Sequence, residues 1–537
     1  MTDRLYLYDT TLRDGQQTQG VQFSAAEKVE IARMLDALGV DYIEGGWPGA
    51  NPTDSDFFAS APKTRARLAA FGMTKRAGRS AANDDVLAAV LNAGTGAVCL
   101  VGKTHDFHVH AALGITLDEN RENIAASLAH LVAQDREAIF DAEHFFDGWK
   151  ANRDYALACL IAARDAGARW IVLCDTNGGT LPHEIEAITT EVIAAGIPGA
   201  RLGIHTHDDT GNAVAGSLAA IRAGARQVQG TLNGLGERCG NANLTTLIAT
   251  LALKPEFAPL VPQIRPDALK TLLKTSRRLD EILNRAPAPN APYVGASAFA
   301  HKAGLHASAI VKNPATYEHV APDTVGNARV IPMSNQAGQS NLRARLQEAG
   351  LEIAENADLA AILSDVKARE DQGYAYDVAQ ASFELLARRH LGQLPRFFDV
   401  ERYRVIVERR RNARGEQISV SEAVVTVRLH GQRVMSVSES HGETDSDDRG
   451  PVNALWRALG KDLGAYQASI DDMWLVDFRV RITQGGTEAV TRVTIDSEDG
   501  QGNRWSTVGV SANIVDASFE ALHDAIVWKL IRDGATA

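Results

Sequence analysis

Apolar runs of strand length alternate with amphipathic stretches of helical period through the first 250 residues. The eight runs cover 5–9, 40–44, 67–73, 97–102, 137–143, 169–175, 201–207 and 227–233. The stretch after the first run is the clearest helix, because Ser24 and Glu27 form a capping box and Gly39 suits a left-handed end. Glycines close four later stretches in the same way: Gly94, Gly167, Gly196 and Gly224. Eight strand–helix units predict a closed (β/α)8 barrel (TIM barrel), with a doubly wound open sheet as the alternative.

The pattern changes twice in the second half of the chain. A Pro-rich segment at 285–293 predicts an extended linker before a mostly helical region. Further on, alternating apolar positions predict strands in two similar halves, with helices near 451–461 and 514–531. We therefore predict three parts: a catalytic barrel over 1–283, helical linker and lid subdomains over 284–391, and an α+β domain over 392–537.

Composition narrows the class of protein. The chain has 537 residues, of which 45% are apolar and 23% charged, as is usual for folded globular proteins. No apolar run approaches the ~18 residues of a membrane-spanning helix, and the N-terminus does not resemble a signal peptide. The net charge of −12 argues against non-specific nucleic-acid binding. Four scattered cysteines in a chain of this length suggest a reducing, cytoplasmic location.

Polar side chains gather where the predicted strands end, which is where such barrels carry their active groups. His205 and His207 are two residues apart on the seventh strand, so both imidazoles point to the same side. Because the first and seventh strands flank the eighth in a closed barrel, Asp14 reaches the same point. Asn241 then adds a ligand directly or through water. This set predicts a divalent metal site with positions open to substrate, and hydrogen bonding between strand ends is the alternative.

Four further side chains near this mouth each allow two interpretations. Arg13 either stabilises an enolate or a keto group, or forms a salt bridge. Thr176 either binds a substrate carboxylate or caps the next helix. Glu143 and Glu237 are candidates for acid–base chemistry, with ion pairing as the alternative.

A segment beyond the Pro-rich region carries two more histidines. HKAGLHASAI covers 301–310 and is followed by TYEHV at 316–320. We predict that this segment forms a lid that brings His306 and Tyr317 to the barrel mouth. Histidines with a structural role are the alternative.

Five motifs resemble the acyl-CoA-condensing synthases, the family of 2-isopropylmalate, homocitrate and citramalate synthases. They are DTTLRDGQQT (9–18), HTHDDTGNAVA (205–215), NGLGERCGNANL (233–244), HKAGLHASA (301–309) and YEHV (317–320). The resemblance covers nearly the whole chain, and the C-terminal part is similar to the family's regulatory dimerisation domain. The stretch at 44–58 looks like the citramalate synthase branch. The related HMG-CoA lyases have a cysteine in the loop that holds Cys239, but they usually lack the C-terminal domain.

The resemblance implies roles for residues that match the family motifs. Asp14, His205 and His207 match metal ligands, and Asn241 matches a ligand that acts directly or through water. Arg13 matches the catalytic arginine beside the keto carbonyl.

The remaining matches concern the substrates. Thr176 matches the threonine that binds the keto-acid carboxylate, and Glu143 matches a pocket carboxylate. Glu237, His306 and Tyr317 match residues around the acetyl methyl group and a catalytic water. For the catalytic base, the expectation is His306, paired with Glu237.

The implied reaction is a Claisen-type condensation of acetyl-CoA with a 2-oxo acid, followed by thioester hydrolysis. In the citramalate branch the acceptor is pyruvate, on the route to isoleucine, and we expect Trp47 to narrow the pocket around its methyl group. A 2-isopropylmalate synthase using 2-oxoisovalerate, on the route to leucine, is the near alternative. The resemblance also implies Mn, Mg, Zn or Co as the metal, a homodimer, and isoleucine as a feedback effector. A metal-dependent hydrolase and a non-catalytic amino-acid sensor on the same barrel are the alternatives of other classes.

Overall fold

The computed structural model describes residues 4–302, 304–333, 339–354, 358–411, 415, 417–441, 450–484 and 489–537. The chain folds as two compact units. The first comprises Met1–Phe299 with Val320–Ala328, and the second comprises Ala300–His319 with Arg329–Ala537. The domain boundaries given above stay predictions. In the described ranges no helix combines the length and apolar composition needed to cross a bilayer.

A closed barrel of eight parallel strands forms the centre of the first unit. The strands are β1 (Tyr6–Asp9), β2 (Tyr42–Gly46), β3 (Arg67–Met73), β4 (Ala97–Lys103), β5 (Glu137–Glu143), β6 (Trp170–Asp175), β7 (Leu202–Thr206) and β8 (Gln227–Gly230). Strand β8 pairs with both β7 and β1, which closes the barrel. The barrel prediction is confirmed, and the open sheet is wrong.

Helices surround this barrel and connect its strands. They are α1 (Ala25–Leu38), α2 (Pro52–Ala59), α3 (Asp85–Asn92), α4 (Asp106–His108), α5 (Leu117–Ala133), α6 (Phe145–Ala151), α7 (Arg153–Asp165), α8 (Pro182–Ala194), α9 (Ala213–Ala223), α10 (Leu244–Leu253), α11 (Pro266–Leu269) and α12 (Leu272–Ile282). Helix α1 begins with the predicted capping box of Ser24 and Glu27, and Gly39 ends it with a φ of 91°. The apolar faces of the helices and the outer faces of the strands share one large core.

The second unit contains helices and two antiparallel sheets. Its elements are α13 (Gly304–Lys312), α14 (Gln339–Glu348), α15 (Leu359–Asp371), α16 (Gln380–His390), β9 (Asp399–Arg411), β10 (Gln417–Leu429), β11 (Gln432–His441), α17 (Pro451–Leu459), α18 (Gln467–Asp471), β12 (Met473–Gln484), β13 (Val490–Asp499), β14 (Arg504–Ser511) and α19 (Ile514–Arg532). The sheets have the orders β11-β10-β9 and β12-β13-β14. Helix α17 follows the first sheet and α19 the second, as expected for the predicted repeat, and both helices contribute to one core.

Two local predictions differ from the structure. The Pro-rich segment does not form an extended linker, because it turns at Ala288–Ala291 and its continuation buries Tyr293 and Val294 in the core of the first unit. The eighth strand ends at Gly230 rather than at 233, since Asn233 and Gly234 adopt positive φ values of 54° and 71°. These turns open the loop that carries Glu237 and Asn241.

Candidate active site

One cavity of about 240 Å³ at the carboxyl ends of the barrel strands collects most of the predicted site residues. The predicted residues that line it are Arg13, Asp14, Trp47, Glu143, Thr176, His205, His207 and Glu237. Asn241 is buried and bonds to Asp14. Closure of the barrel thus brings together residues from both ends of the first 250 positions.

Asp14, His205 and His207 form a tight group of buried donor atoms. Asp14 Oδ2 lies 3.2 Å from His205 Nε2, which in turn lies 3.4 Å from His207 Nε2. One ligand atom from each of the three residues lies within 4.8 Å of the others. Two imidazoles and a carboxylate at this separation are a common ligand set for divalent transition metals.

Unsatisfied polar atoms beside this group also suit a cation. Asn241 donates from Nδ2 to Asp14 Oδ2 over 2.8 Å, and its carbonyl Oδ1 is buried with no hydrogen-bond donor among the described residues. Buried amide oxygens normally have partners, so this oxygen is placed for a ligand that accepts its lone pair. The donor set therefore fits a divalent ion.

The electrostatics of the group favour positive charge at the same point. Burial alone raises the pKa of Asp14, but Arg13 and His205 outweigh it and hold the value well below its usual range. Burial lowers the pKa of His207 to about 4, so this imidazole is neutral at pH 7 and has a lone pair to offer. For His205, burial lowers the pKa, yet its bond to Asp14 prevails and raises it. The Asp14 carboxylate thus attracts a positive charge, which is a requirement for metal binding.

Arg13 is held rigidly beside these ligands. Its Nε donates to Glu44 Oε2 over 2.6 Å, and a terminal nitrogen lies 3.4 Å from Asp14 Oδ1. The guanidinium stacks 3.9 Å from the centre of the Phe71 ring. Both predicted roles are therefore compatible with the structure, since the salt bridges orient a cation that lines the cavity.

Thr176 does not cap the next helix, and its hydroxyl can still donate a hydrogen bond. Helix α8 starts six residues later, and the Thr176 Oγ1 instead accepts a hydrogen bond from the backbone N–H of His144 over 2.8 Å. The hydroxyl proton can still be donated into the cavity, which Thr176 lines.

The two predicted acid–base carboxylates differ in their surroundings. Glu143 is half-buried and forms an ion pair with Lys103 over 2.6 Å. Glu237 is exposed, with Arg238 3.8 Å away. Ion pairing therefore occurs at both carboxylates, and both still line the cavity.

Trp47 forms one wall of the cavity. Its ring meets Phe71 edge to face, with the centroids 5.6 Å apart. Together with Val101 these rings make the apolar part of the lining.

His306 and Tyr317 belong to the second unit. Their rings stack with centroids 4.1 Å apart, and both side chains are exposed. The predicted lid over the barrel mouth stays a prediction.

Sequence reasoning missed several polar side chains inside the barrel. Glu44 holds Arg13 and also accepts from the Tyr8 hydroxyl over 2.8 Å. Gln229 donates a hydrogen bond to Asp141, which lines the cavity. All three lie in runs that were assigned to strands by their apolar character. A charged or amide side chain within a strand that is buried on both faces is the signal that points to such groups.

Three protein families match successive segments of the chain. Residues 4–276 match the HMGL-like family, residues 293–374 the homocitrate synthase post-HMGL domain-like family, and residues 377–530 the LeuA allosteric (dimerisation) domain. The chain is 47% identical to the (R)-citramalate synthase of Aquifex aeolicus over 99% of each chain. It is 46% identical to the (R)-citramalate synthase of Synechocystis sp., over 98% of this chain and 96% of that protein.

The chain belongs to the (R)-citramalate synthase family. By contrast, the 2-isopropylmalate synthase of Pectobacterium atrosepticum is 28% identical over 97% of this chain and 92% of its own. The resemblance found in the motifs, including the branch indicated by residues 44–58, is therefore confirmed. Members of the (R)-citramalate synthase family are acyltransferases, so the chain is an enzyme of that class.

Proposed function

We propose that this chain condenses acetyl-CoA with pyruvate and hydrolyses the resulting thioester, so that acetyl-CoA, pyruvate and water give (R)-citramalate and CoA. The observation that carries the proposal is the buried group of Asp14, His205 and His207 with Arg13 beside it in one cavity. Membership of the (R)-citramalate synthase family supports the same substrates. The alternatives of other classes have different requirements. A metal-dependent hydrolase would act on a single substrate without acetyl-CoA, and a non-catalytic sensor would not need this buried group of metal ligands.

The reaction requires four proton or bond changes that the site must support. A base removes a proton from the acetyl methyl group, which is a weak acid, and the enolate carbon attacks the keto carbon of pyruvate. The resulting alkoxide takes up a proton, and water then cleaves the thioester to release CoA. Charge develops on oxygen in the first two changes, so fixed positive groups near those oxygens lower the barrier.

The metal would be held by Asp14, His205 and His207, with Asn241 as a further oxygen ligand. When bound, a divalent cation supplies Lewis-acid polarisation of a keto group. Arg13 contributes a second positive charge that needs no rearrangement, because Glu44 and Phe71 already fix its orientation.

Thr176 and Glu143 orient the acceptor. The Thr176 hydroxyl donates a hydrogen bond to the pyruvate carboxylate, because its oxygen already accepts one from the backbone N–H of His144. Glu143, held by Lys103, limits where the reacting groups sit. His306, paired with Glu237, is the proposed base, and Tyr317 is proposed to lie near the catalytic water.

The second unit carries the proposed regulation. Residues 377–530 match a family described as an allosteric dimerisation domain. We therefore propose a cytoplasmic homodimer whose activity falls when isoleucine, the proposed pathway's end product, binds to this domain.

The test of the proposed activity is CoA release with each 2-oxo acid in turn. Purified chain, Mn²⁺ and acetyl-CoA are mixed with pyruvate or 2-oxoisovalerate, and free thiol is followed with a chromogenic disulfide. We expect kcat/KM to be at least about tenfold higher with pyruvate, because one pocket wall that excludes two methyl groups is worth about 1–3 kcal/mol. Equal rates, or faster release with 2-oxoisovalerate, would show a 2-isopropylmalate synthase. Release from acetyl-CoA that needs no 2-oxo acid would show a hydrolase.

A further inference from the structure

A buried chain of hydrogen bonds runs from Asp141 through Gln229 to His205. Asp141 lies on β5, Gln229 on β8 and His205 on β7, and each is at most 5% exposed. Gln229 Nε2 donates to Asp141 Oδ1 over 3.0 Å, and Gln229 Oε1 lies 2.8 Å from His205 Nδ1. None of the metal-ligand predictions uses Asp141 or Gln229.

The end of the amide that faces His205 decides which ring nitrogen is available. A carbonyl oxygen can only accept, so it requires the proton on His205 Nδ1 and leaves the Nε2 lone pair exposed. The NH₂ end would require a lone pair on Nδ1 and would place the proton on Nε2. Because Nε2 is the atom beside Asp14 and His207, only the first arrangement leaves it able to bind a metal.

Asp141 determines this orientation of the amide. A carboxylate accepts hydrogen bonds and does not donate them, so it attracts the NH₂ end of Gln229 and turns the carbonyl end toward His205. The Cys99 sulfur lies within 4.8 Å of a carboxylate oxygen of Asp141, so a second donor group is close to the same carboxylate. The orientation thus follows from the chemistry of Asp141 and not from Gln229 alone.

The second histidine has no such support. His207 Nδ1 is buried and has no hydrogen-bond partner in the part of the chain that the structure describes. The two imidazoles are therefore not equivalent, and the hydrogen-bond chain singles out His205.

We propose that Asp141 and Gln229 are positioning residues that fix the metal-binding tautomer of His205 and thereby strengthen metal binding. This inference rests on the proposed function, because it presupposes that the ligand group holds a divalent ion. Partners of this kind commonly change metal affinity 10- to 100-fold.

The experiment is a Mn²⁺ titration of the full-length, chelator-treated protein by calorimetry. We expect Gln229→Met to raise the Kd about 10- to 100-fold, because methionine fills the space but cannot accept the Nδ1 proton. Gln227→Met is the matched control: Gln227 is a fully buried glutamine on the same strand, its amide has no hydrogen-bond partner in the described structure, and its Kd should stay within about twofold of wild type.

A double variant that restores the hydrogen bonds distinguishes a positioning role from a packing role. It also keeps the inference testable if Gln229→Met fails to fold. Gln229→Glu alone places two carboxylates side by side and should weaken binding. Adding Asp141→Asn restores a donor to the glutamate and an acceptor to His205, so the double variant should return to within about threefold of the wild-type Kd. The inference is overturned if folded Gln229→Met binds Mn²⁺ as wild type does, or if the double variant binds no better than Gln229→Glu. If wild type itself binds no Mn²⁺, the proposed metal site fails and the inference fails with it.

Discussion

The Asp14 Oδ2 and His205 Nε2 atoms lie 3.2 Å apart, although Asp14 follows the first barrel strand and His205 lies near the end of the seventh. Strand β8 pairs with both β7 and β1, so closing the barrel is what brings the two side chains together. An open sheet would separate them by the width of the sheet. The candidate metal site is thus a consequence of the topology, and each prediction below follows from the cavity or from the cores that support it.

Replacing Trp47 should broaden the choice of 2-oxo acid. Trp47 packs edge to face on Phe71 and narrows the apolar side of the cavity. We expect Trp47→Ala to lower the pyruvate to 2-oxoisovalerate ratio of kcat/KM about tenfold or more, because space opens for the larger substituent. Trp474→Ala, which removes an exposed tryptophan of the second unit, is the control and should leave the ratio unchanged. An unchanged ratio in Trp47→Ala would show that this ring does not select the substrate.

Removing the Thr176 hydroxyl should weaken pyruvate binding. The Thr176 Oγ1 already accepts a hydrogen bond from the His144 N–H, so its hydroxyl hydrogen is the part that can bond to the pyruvate carboxylate. We expect Thr176→Val to raise the KM for pyruvate about 10- to 100-fold, the usual cost of a hydrogen bond to a charged group. Thr176→Ser retains the hydroxyl and should stay within about threefold of wild type. The assignment is wrong if both variants show the same KM.

The sequence was sufficient to predict the architecture and the proximity of Asp14 to His205 and His207. The strand period, the Ser24–Glu27 capping box and the glycine helix ends predict eight units, and barrel closure then places Asp14 near His205. These features depend on local patterns and on one topological rule. The family resemblance in the motifs supplied the reaction.

The polar interior could not be predicted in the same way. Asp141 and Gln229 lie within runs read as apolar strands, and their partners come from strands far apart along the chain. Which side chain faces which across a barrel depends on the register and stagger of the strands, and a hydrophobic pattern does not fix these. The apolar alternation of β12 likewise predicted a strand but did not reveal that one of its faces is exposed.

The stability of the barrel should respond to pH through Asp9. Complete burial raises the pKa of this carboxyl to about 7, although Thr11 donates two hydrogen bonds that oppose the shift. In the unfolded chain the pKa of the same carboxyl is about 4. Between these values only the folded protein holds the proton, so the free energy of unfolding falls as pH rises from about 4 to about 7.

Asp9→Asn removes this ionisation while keeping an oxygen that accepts from Thr11. We expect its unfolding temperature to rise relative to wild type by about 5 °C between pH 5 and pH 8, as measured by calorimetry. The same temperature difference between the two proteins at both pH values would contradict the shifted pKa.

One face of β12 should be buried in the proposed homodimer. Three alternate side chains in the second half of this strand, which point to one side of the sheet, are 37% to 64% exposed: Phe478, Val480 and Ile482. An apolar row of this length is typical of an interaction surface. We expect Val480→Asp to shift the protein from dimer to monomer in sedimentation velocity, whereas Arg481→Asp, on the opposite face, should not. A dimer that persists in Val480→Asp would assign the interface elsewhere.

Metal removal tests the central claim most directly. CoA release from acetyl-CoA and pyruvate is measured for the chelator-treated enzyme, before and after Mn²⁺ is added, with the metal content of each sample determined by mass spectrometry. Asp14→Asn, which alters a ligand, is compared with Asp208→Asn, which alters the carboxylate that accepts from Ala213 N–H at the start of α9. The account predicts activity lower by at least about 10³-fold without metal, recovery on adding Mn²⁺ in wild type and Asp208→Asn, and no recovery in Asp14→Asn. Full activity from enzyme that holds less than about a tenth of an ion per chain would contradict it.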